Sequence, residues 1–334
     1  MISIILPVYN AAEFICDAVG SIQDQTYRDY ELIIIDDGST DTTANLLQQL
    51  QKRDTRIRII TSKKNKGIVD ALNTGIRNAC YPYIARMDAD DFCYPQRLEL
   101  QYQFLQDNPQ VGAVSCLVKC EMLSENKGMQ NFVAWTNTLL SDNDIYRYRF
   151  VETPVIHPSV MFRKQLIDKY GYYNDNSFPE DYELWLRWLH HGVRIQKIAQ
   201  CLFVWNDPPT RLTRTDARYK EQAFYACKTH YLAKWLSRKN INNIVIWGAG
   251  KKARQYIKLL NNYAVTIEAY IDVDAKKIGK LIQGKPVYHY KENFCEYKNH
   301  FILSYVGNRG IRNKITDYLE QHELVNGKNF LLMA

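Results

Sequence analysis

The sequence predicts an α/β protein built from two α/β units in tandem, of which the second is the smaller. Short β-branched runs alternate with segments of helical spacing over the first 90 residues. The same alternation resumes after a polar break at 239–243. The chain has 334 residues, 46% hydrophobic and 24% charged, which suits two globular domains with ordinary cores.

The amino-terminal elements alternate between strand and helix. Residues 2–8, ISIILPV, form a short apolar run that predicts a buried parallel strand. Further strands are expected at 30–39, 56–62 and 81–91, and the helices at 11–25, 39–53 and 67–80. In parallel sheets of this kind, ligands lie beyond the carboxyl ends of the strands.

The region 110–215 is less regular. It carries HPSVMFR at 157–163, which ends in a predicted strand, and an amphipathic helix predicted within 178–192. Residues 217–238 have the composition of a single helix. We therefore expect a first domain at 1–225, a helical linker at 226–240 and a second α/β domain at 241–334.

The positive charge is concentrated near the carboxyl terminus. The formal net charge is +7, and residues 241–334 carry 14 Lys and Arg against 8 Asp and Glu. A solvated face explains this surplus, and the alternative is a surface that rests against anionic lipid headgroups or an acidic partner. No nucleic-acid partner is expected.

The cysteines and the amino terminus indicate the cellular compartment. The chain has eight cysteines and no C-x-x-C pair, and Cys116 and Cys120 lack nearby histidines, so a zinc site is not expected. Most cysteines are expected to be small buried side chains in a reducing compartment. MISIILPVYN lacks a basic region, and no run reaches 18 apolar residues. We expect a cytoplasmic protein, peripheral to the inner face of a membrane at most.

Three carboxylates stand within four residues in the stretch MDADD. Asp88, Asp90 and Asp91 follow an apolar run, and like charges this close are costly to bury unless a cation lies between them. Oxygen ligands suit Mg²⁺ or Mn²⁺, which commonly bridge protein carboxylates to a diphosphate. The alternative from the local pattern is a capped turn that starts the next helix.

A second acidic cluster, DDGS at 36–39, ends the strand predicted at 30–39. A carboxylate there can accept a hydrogen bond from the N3–H of a uracil ring. Tyr9, at a neighbouring strand end, offers a face on which a base can stack. An acidic turn and a half-buried aromatic residue are the simpler alternatives. Both clusters and Tyr9 are expected at one edge of the sheet.

Six segments give the sequence a family resemblance. They are, in order, SIILPVYN, DDGSTD, NKGIVDALNTGIRNA, YIARMDADD, HPSVMFR and EDYELWLR. Their order and spacing resemble those of the inverting glycosyltransferases of family 2, which have the GT-A fold, of the type that builds bacterial surface polysaccharides. The resemblance covers residues 1–225.

This resemblance implies a UDP-sugar donor, a divalent metal (Mn²⁺ or Mg²⁺) and a saccharide acceptor. The acceptor expected for the family is a lipid-linked oligosaccharide of a lipopolysaccharide or capsule. The matched positions are Pro7, Tyr9 and Asp37 near the base, Asn73 and Arg86 along the nucleotide and diphosphate, Asp88 nearer the ribose, and Asp90 and Asp91 at the metal. Asp36 is expected to support the loop that carries Asp37.

The pair Glu180–Asp181 matches the acidic pair of the family. Inversion needs a base on the face opposite the leaving diphosphate, and that base removes the proton of the acceptor hydroxyl. Asp181 matches the catalytic base, while Glu180 is expected to position the acceptor or the loop. The alternative is an acidic pair that the helix dipole stabilises.

Four further residues extend the predicted site. Trp185 either stacks on the acceptor sugar or belongs to the core. His157 either lies near the donor or is a hydrogen-bonded residue of a turn. Arg211 and Arg214 fall where related enzymes carry a loop that closes over the diphosphate. Many relatives have a histidine in that loop, and this chain has none between 192 and 229.

The second domain carries its own motif. The segment GAGKKA, with Gly248 and Gly250, follows a predicted strand, and Asp272 ends the next one, as in dinucleotide-binding folds. The domain resembles the small Rossmann-like domains attached to sugar acyltransferases and some glycosyltransferases. It is either a nucleotide-binding unit or an interaction domain that keeps the turn for packing. Its 94 residues are too few for a hydride-transfer domain with its own catalytic residues.

Three functions follow from these observations. The first is a metal-dependent inverting glycosyltransferase. The second is a nucleotide-sensing protein that uses the second domain, and the third is an inactive glycosyltransferase-like scaffold. The complete acidic motifs favour the enzyme.

Overall fold

The computed structural model of the protein describes residues 1–121, 127–174, 177–206 and 216–334. The chain divides into two compact units. The first contains Met1–Ile145 and Pro154–Tyr219, and the second contains Tyr146–Thr153 and Lys220–Ala334. The segment 226–240, expected as a linker, is therefore part of the second unit.

The first unit is built on a mixed β-sheet. Its strands within the described residues are β1 (Ile2–Val8), β2 (Tyr30–Asp36), β3 (Ile57–Thr61), β4 (Tyr83–Arg86), β5 (Phe92–Cys93), β6 (Val111–Glu121), β7 (Met161–Arg163) and β8 (Arg194–Asn206). They are arranged in the order β3-β2-β1-β4-β7-β6-β8-β5.

Helices connect these strands. They are α1 (Ile15–Gln23), α2 (Thr43–Arg53), α3 (Ile68–Arg77), α4 (Arg97–Asp107), α5 (Lys127–Thr138), α6 (Asp142–Tyr148), α7 (Gln165–Tyr170) and α8 (Glu180–His190). Short 3₁₀ turns lie at His157–Ser159 and Ala217–Tyr219. The last residues of α6 are counted with the second unit.

The first four strands form the parallel half of the sheet. Val8 pairs with Asp36 across β1 and β2, and Ile5 pairs with Arg86 across β1 and β4. The carboxyl ends of these strands therefore meet at one edge. This confirms the expected strand and helix alternation over the first 90 residues.

The other half of the sheet departs from the expected parallel pattern. Strand β7 runs antiparallel to both β4 and β6, and β5 runs antiparallel to β8. Strands β6 and β8 pair parallel over most of their length. The long β8 ends at Asn206, and this returns the chain to β5 and to the acidic residues just before it.

Tight packing fixes helix α3 on the sheet. A Cβ atom at Gly75 would lie 2.5 Å from Cγ2 of Ile5 and 2.7 Å from Cδ1 of Ile35, so glycine is required there. The side chains of β1 are all buried, as expected for a strand covered on both faces. The core therefore holds the strand ends in fixed positions.

The second unit is a separate α/β sheet. Its described strands are β9 (Asn243–Trp247), β10 (Thr266–Asp272), β11 (Leu281–Ile282), β12 (Lys285–His289), β13 (Phe301–Ser304) and β14 (Phe330–Leu332). Their order is β11-β12-β10-β9-β13-β14, and all neighbours are parallel except β11 and β12. The helices are α9 (Glu221–Arg238), α10 (Lys251–Ile257), α11 (Phe294–Tyr297) and α12 (Arg309–Gln321), with a 3₁₀ turn at Lys258–Asn262.

A buried lysine joins three segments of this unit. Lys228 of α9 is 4% exposed, and its Nζ donates to the carbonyl oxygens of Val151 at 2.8 Å and Met333 at 3.0 Å. The Nζ also lies 4.2 Å from the centre of the Tyr225 ring. Burial lowers the pKa of Lys228 to about 7.

The expectation that most cysteines are buried is wrong. Three of the eight are buried, namely Cys93, Cys116 and Cys227, whereas Cys16, Cys80, Cys201 and Cys295 are exposed. Cys16 and Cys295 lie on helix surfaces, Cys201 lies within β8, and Cys80 lies in the loop after α3.

Across the described ranges, no helix combines the length and the apolar character that crossing a bilayer requires.

Candidate active site

Two loops are tied together beyond the carboxyl ends of β1 and β2. Asn10 has φ +49°, in the left-handed region that asparagine tolerates, and its Oδ1 accepts a hydrogen bond from the Thr40 N–H at 2.8 Å. The Asn10 N–H donates to Ser39 Oγ at 3.0 Å. Tyr9, which directly precedes Asn10, is 48% exposed, and Pro7 is buried within β1. The exposed ring of Tyr9 has the surface that base stacking needs.

Asp36 and Asp37, at the end of β2, are both buried, and both carboxylates accept hydrogen bonds from backbone N–H groups. Asp36 Oδ1 accepts from the Ser39 N–H at 2.9 Å. The Asp37 carboxylate accepts from the N–H groups of Lys66, at 3.0 Å, and Gly67, at 2.7 Å. The sequence assigned loop support to Asp36 alone. In the structure Asp37 also secures the loop before α3.

The acidic run lies at the same edge, after β4. One carboxylate oxygen from each of Asp88, Asp90 and Asp91 lies within 4.8 Å of the other two. Asp91 is only 2% exposed, whereas Asp88 and Asp90 are partly open to solvent. Oxygen donors at this spacing fit a hard divalent cation such as Mg²⁺ or Mn²⁺. The three residues predicted from the sequence are thus brought together.

Arg86 is the buried positive group of the site. Its Nη1 lies 2.5 Å from Asp88 Oδ1 and also donates to the Met87 carbonyl oxygen. Burial would lower the pKa of Arg86, but Asp88, followed by Tyr173 and Asp91, raises it, so the guanidinium stays charged. In the structure Arg86 therefore fixes the orientation of Asp88.

Asn206, the last residue of β8, makes hydrogen bonds to the acidic run. The Asn206 N–H donates to Asp91 Oδ1 at 2.9 Å, and Asn206 Nδ2 donates to the Asp90 carbonyl oxygen at 2.7 Å. One residue thus fixes a carboxylate and a backbone carbonyl in the candidate metal site. Arg211 and Arg214, the predicted lid residues that follow, lie outside the described residues.

Asn73 acts through Tyr173. Asn73 Nδ2 donates to the Tyr173 carbonyl oxygen at 2.9 Å, and Asn73 Oδ1 accepts from the Tyr173 N–H at 3.0 Å. The Tyr173 hydroxyl lies 2.7 Å from His157 Nε2. Burial, and then the charge of Arg86, lowers the pKa of His157 well below its usual value, so the ring is neutral. His157 and Asn73 therefore form one buried hydrogen-bonded chain.

The predicted catalytic pair begins helix α8. Glu180 is 3% exposed, and its Oε1 and Oε2 each accept from the Tyr219 hydroxyl at 2.7 Å. Asp181 Oδ1 accepts from the Tyr182 N–H at 2.6 Å and keeps some contact with solvent. Two carboxylates thus lie side by side at the start of the helix.

The surroundings of Glu180 and Asp181 change the pKa of each carboxyl group. Burial, followed by the negative charge of Glu180, raises the pKa of Asp181 to about 7, while Arg86 acts in the opposite direction. Burial also raises the pKa of Glu180, and the hydrogen bond from Tyr219 opposes that rise. Asp181 is therefore suited to accept a proton near neutral pH. Arg86 thus contacts Asp88 of the acidic run, and its charge also acts on Asp181 of the acidic pair.

Trp185 has no face for a sugar. It is 0% exposed, and its ring contacts His157, with 5.9 Å between centroids, and Trp188, at 5.3 Å. Of the two alternatives for this residue, the structure supports the core position. Trp185 is the fourth residue after Asp181, on a face of α8 that turns into the unit, where the neighbouring Trp188 contacts Phe162 of β7 at 5.2 Å between centroids.

The turn in the second unit is closed by its own side chains. Gly248 has φ +109°, and Gly250 caps the start of α10. Asp272 Oδ2 accepts from the Ala249 N–H and from Lys277 Nζ, both at 3.0 Å. The expected turn is present, and its acidic residue already has two partners.

Sequence reasoning missed three residues that organise the first unit: Tyr173, Asn206 and Tyr219. Each acts on a partner 16 to 116 positions away, such as Asp90 for Asn206. Tyr219 was placed within the helix predicted at 217–238, whereas the structure has a 3₁₀ turn at Ala217–Tyr219 before the helix begins at Glu221. No local pattern marks the other two.

Comparison with known proteins identifies the family. Residues 3–171 match the family described as glycosyl transferase family 2. The O-antigen biosynthesis glycosyltransferase WbnJ of Escherichia coli is 30% identical over 248 residues, which cover 73% of this chain and 92% of that protein. The chain belongs to glycosyltransferase family 2.

Other relatives of this family 2 chain differ in length. The bifunctional glycosyltransferase pgtA of Dictyostelium discoideum is 33% identical over 213 residues, which are 54% of this chain and 27% of that protein. An uncharacterized glycosyltransferase of Haemophilus influenzae is 33% identical over 193 residues, 55% of this chain and 59% of that protein. The chain thus spans about a quarter and somewhat over half of these two relatives.

Solved structures confirm the GT-A fold of this family 2 chain. TarS of S. aureus in complex with UDP-GlcNAc has a TM-score of 0.56 at 16% identity, covering 79% of this chain and 81% of that one. The mannosyltransferase PcManGT from Pyrobaculum calidifontis, in complex with GDP-Man and Mn²⁺, has a TM-score of 0.53 at 20% identity, covering 79% and 71%. Residues 240–323 match a second family, described as C2185-like, N-terminal.

Proposed function

We propose that the protein transfers a sugar from a UDP-sugar, with inversion, to a hydroxyl group of a saccharide acceptor in the synthesis of a surface polysaccharide. One observation carries the proposal. The carboxylates of Asp88, Asp90 and Asp91 form one cluster, and the buried Arg86 both contacts Asp88 and acts by its charge on Asp181 of the acidic pair. Sugar transfer needs a group that stabilises the anionic leaving group and a base that accepts the proton of the acceptor hydroxyl. This arrangement offers candidates for both.

The donor side is formed by the loops after β1, β2 and β4. Tyr9 has the exposed ring on which the uracil would stack, near Pro7. Asp90 and Asp91, with Asp88 beside them, would hold Mn²⁺ or Mg²⁺. The bound ion would stabilise the negative charge that develops on the diphosphate as the glycosidic bond breaks. The complexes of TarS with UDP-GlcNAc and of PcManGT with GDP-Man and Mn²⁺ support a nucleotide-sugar donor.

Asp181 is the proposed base. The acceptor oxygen forms a bond to the anomeric carbon, the bond from that carbon to the diphosphate breaks, and UDP leaves. The proton of the acceptor hydroxyl passes to the Asp181 carboxylate. A pKa of about 7 for Asp181 suits this transfer, because a base works best when its pKa is near the operating pH.

The names of two relatives support the acceptor class. WbnJ is an O-antigen glycosyltransferase and AmsE of Erwinia amylovora is an amylovoran glycosyltransferase. We infer a saccharide acceptor, carried on a lipid, and a basic second unit that rests on the anionic surface where that lipid lies. Cosedimentation with anionic vesicles should fall as salt rises, and no binding at low salt would contradict the membrane part of this proposal.

The second unit is proposed to be a Rossmann-like domain over 241–334. Gly248 and Gly250 support a phosphate-binding turn. Asp272 is already bound to Lys277, so packing of the turn is the competing role. Thermal shift with UDP, UDP-sugars and NAD on the Gly248→Ala variant and the wild type would separate binding from packing.

The deciding experiment is UDP release from a panel of UDP-sugars with Mn²⁺, with and without EDTA. We expect release from one donor, loss of release with EDTA, and loss of roughly a thousandfold or more in Asp181→Asn, as for other essential catalytic groups. Asp107→Asn, an exposed acid on α4, is the matched control. Full activity in Asp181→Asn would overturn the assignment of the base.

A further inference from the structure

The hydroxyl group of Tyr219 is centred on the carboxylate of Glu180. It lies 2.7 Å from Oε1 and 2.7 Å from Oε2. Glu180 is nine-tenths buried or more, whereas Asp181, next to it, retains contact with solvent. The phenol therefore serves only one member of the acidic pair, and it is the member that the acceptor cannot easily reach.

Charged and titratable groups face this pair from several elements. Arg86 comes from the end of β4, Tyr173 from the segment before α8, and Arg218 from the turn at 217–219. Arg218 is itself paired with Asp216 at 2.7 Å. Arg86 and Arg218 both favour the ionised form of Glu180, and Tyr219 is the side chain that bonds its carboxylate, beside the backbone N–H of Glu180 itself.

We propose that Tyr219 is a positioning residue that keeps Glu180 ionised and so makes Asp181 the proton acceptor of the pair. This inference rests on the proposed function, in which Asp181 is the base. It adds a division of labour between the two acids and names the side chain that imposes it.

The physical argument starts from repulsion between the two carboxylates. Two buried acids side by side cannot both ionise easily, so the one with the better donor ionises first. The Tyr219 hydroxyl is such a donor for Glu180, because a hydrogen bond to a charged group is stronger than one to a neutral group. The charge on Glu180 then makes Asp181 hold a proton more tightly. Asp181 thereby becomes a stronger base than an isolated aspartate.

Removing the donor should reverse this order. In Tyr219→Phe, Glu180 loses its bond and takes up a proton at higher pH than before. The negative charge beside Asp181 then disappears near neutral pH, and Asp181 ionises more readily. We expect the acidic limb of the pH profile of kcat/KM to move to lower pH by about one unit, with a several-fold lower plateau because the base is weaker.

A mutant cycle tests whether Tyr219 acts through Glu180. Glu180→Gln removes the charge directly and should move the limb in the same direction. The double variant should then match Glu180→Gln alone, since the phenol has no charge left to stabilise. Tyr30→Phe is the matched control, because it removes the hydroxyl of a buried tyrosine that donates to the Ile22 carbonyl oxygen at 3.0 Å, outside the acidic pair. It should leave the limb in place.

A second measurement works without turnover. Carbon NMR of the wild type and Tyr219→Phe, labelled at the Glu side-chain carboxyl carbon, follows the titration of Glu180, assigned by its absence in Glu180→Gln. We expect the midpoint of Glu180 to move to higher pH in Tyr219→Phe. An unmoved midpoint together with an unmoved acidic limb would overturn the proposal and leave Tyr219 as a structural residue. A moved midpoint in a protein that releases no UDP would support the electrostatic role and refute the proposed function alone.

Discussion

The side chain of Asn73 binds the backbone of Tyr173 in both directions, donating at 2.9 Å and accepting at 3.0 Å. Helix α3 is thereby joined to the segment before α8, one hundred residues along the chain. The same tyrosine bonds His157 through its hydroxyl. The family position expected to contact the nucleotide thus has a structural role in this chain.

Asn73→Leu should destabilise the first unit. The variant leaves the N–H and the carbonyl group of Tyr173 without their partner, which costs roughly 1–3 kcal/mol for buried polar groups. Urea unfolding measures the loss. Asn78→Ala, at a half-buried position, removes the bond from Nδ2 to the Thr74 carbonyl oxygen and the exposed bond that Oδ1 accepts from Arg58, and it should cost less because solvent can replace these partners. Equal losses of unfolding free energy in the two variants would show that the two bonds from Asn73 to the Tyr173 backbone add no particular stability.

Asp181→Asn should stabilise the protein while it abolishes activity. The pKa of Asp181 is raised to about 7, so between about pH 4 and 7 the folded state binds more protons than the unfolded state. The ionised carboxylate therefore lowers the free energy of unfolding above pH 7. We expect a gain of roughly 1–3 kcal/mol at pH 8, reduced by partial solvent access, and little gain at pH 4.

Unfolding curves of the wild type and Asp181→Asn at both pH values would check this. A variant that is less stable than the wild type at pH 8 would contradict the raised pKa. Activity should follow the opposite course in the wild type, falling as the pH drops below about 7, because the base must be ionised.

Arg86→Met should shift the activity profile in the direction opposite to Tyr219→Phe. The positive charge of Arg86 lowers the pKa of Asp181, so its loss moves the acidic limb to higher pH. The variant also removes the ion pair in which Arg86 Nη1 lies 2.5 Å from Asp88 Oδ1. We expect this loss to lower the free energy of unfolding by roughly 3 kcal/mol. Arg86→Lys retains the charge and should leave the limb close to its original pH. A shift of similar size in both variants would rule out charge as the cause.

Metal binding should depend on Asp91 more than on any exposed acid. Asp91→Asn removes an anionic ligand from a buried cluster, and we expect Mn²⁺ to bind at least about tenfold more weakly in the presence of UDP. Electron paramagnetic resonance of free Mn²⁺ gives the affinity without turnover. Asp107→Asn should bind Mn²⁺ as the wild type does. Wild-type affinity in Asp91→Asn would show that the ion lies elsewhere.

Lys228 should make the stability of the second unit depend on pH. Its pKa is lowered to about 7, so between pH 7 and the usual lysine range the unfolded chain holds a proton that the folded chain lacks. The free energy of unfolding should therefore rise with pH, by about 1.4 kcal/mol per unit at most. Lys228→Met should lack this rise. Lys234→Met, on the exposed side of the same helix, should retain it.

The sequence predicted the parallel half of the sheet because its periodicity is local. Strands β1, β2 and β4 are compact apolar runs, and their polar ends identified Tyr9 and the acidic run. Strands β6 and β8 were not predicted. The segment Arg194–Asn206 mixes Arg, Gln and Lys with apolar residues, and its strand conformation depends on pairing with β6 across the unit.

The same distinction applies to the site. Local patterns marked Asp88, Asp90, Asp91, Glu180 and Asp181 as acids of interest, and the structure brings one oxygen of each of the first three together. The assignment of Asp37 to the base and of Asn73 to the nucleotide depended on family positions. What each side chain bonds is decided by segments distant in sequence, as with Lys66 for Asp37 and Tyr173 for Asn73.

The two hydrogen bonds from Asn206 to the acidic run have a thermodynamic consequence. Whatever binds the carboxylates of Asp90 and Asp91 alters the energy of those bonds, and whatever displaces Asn206 alters the carboxylates in return. Linkage requires the two effects to be equal in free energy. The carboxyl end of β8 and the acidic run are therefore joined by a reciprocal coupling through the side chain and backbone of one asparagine.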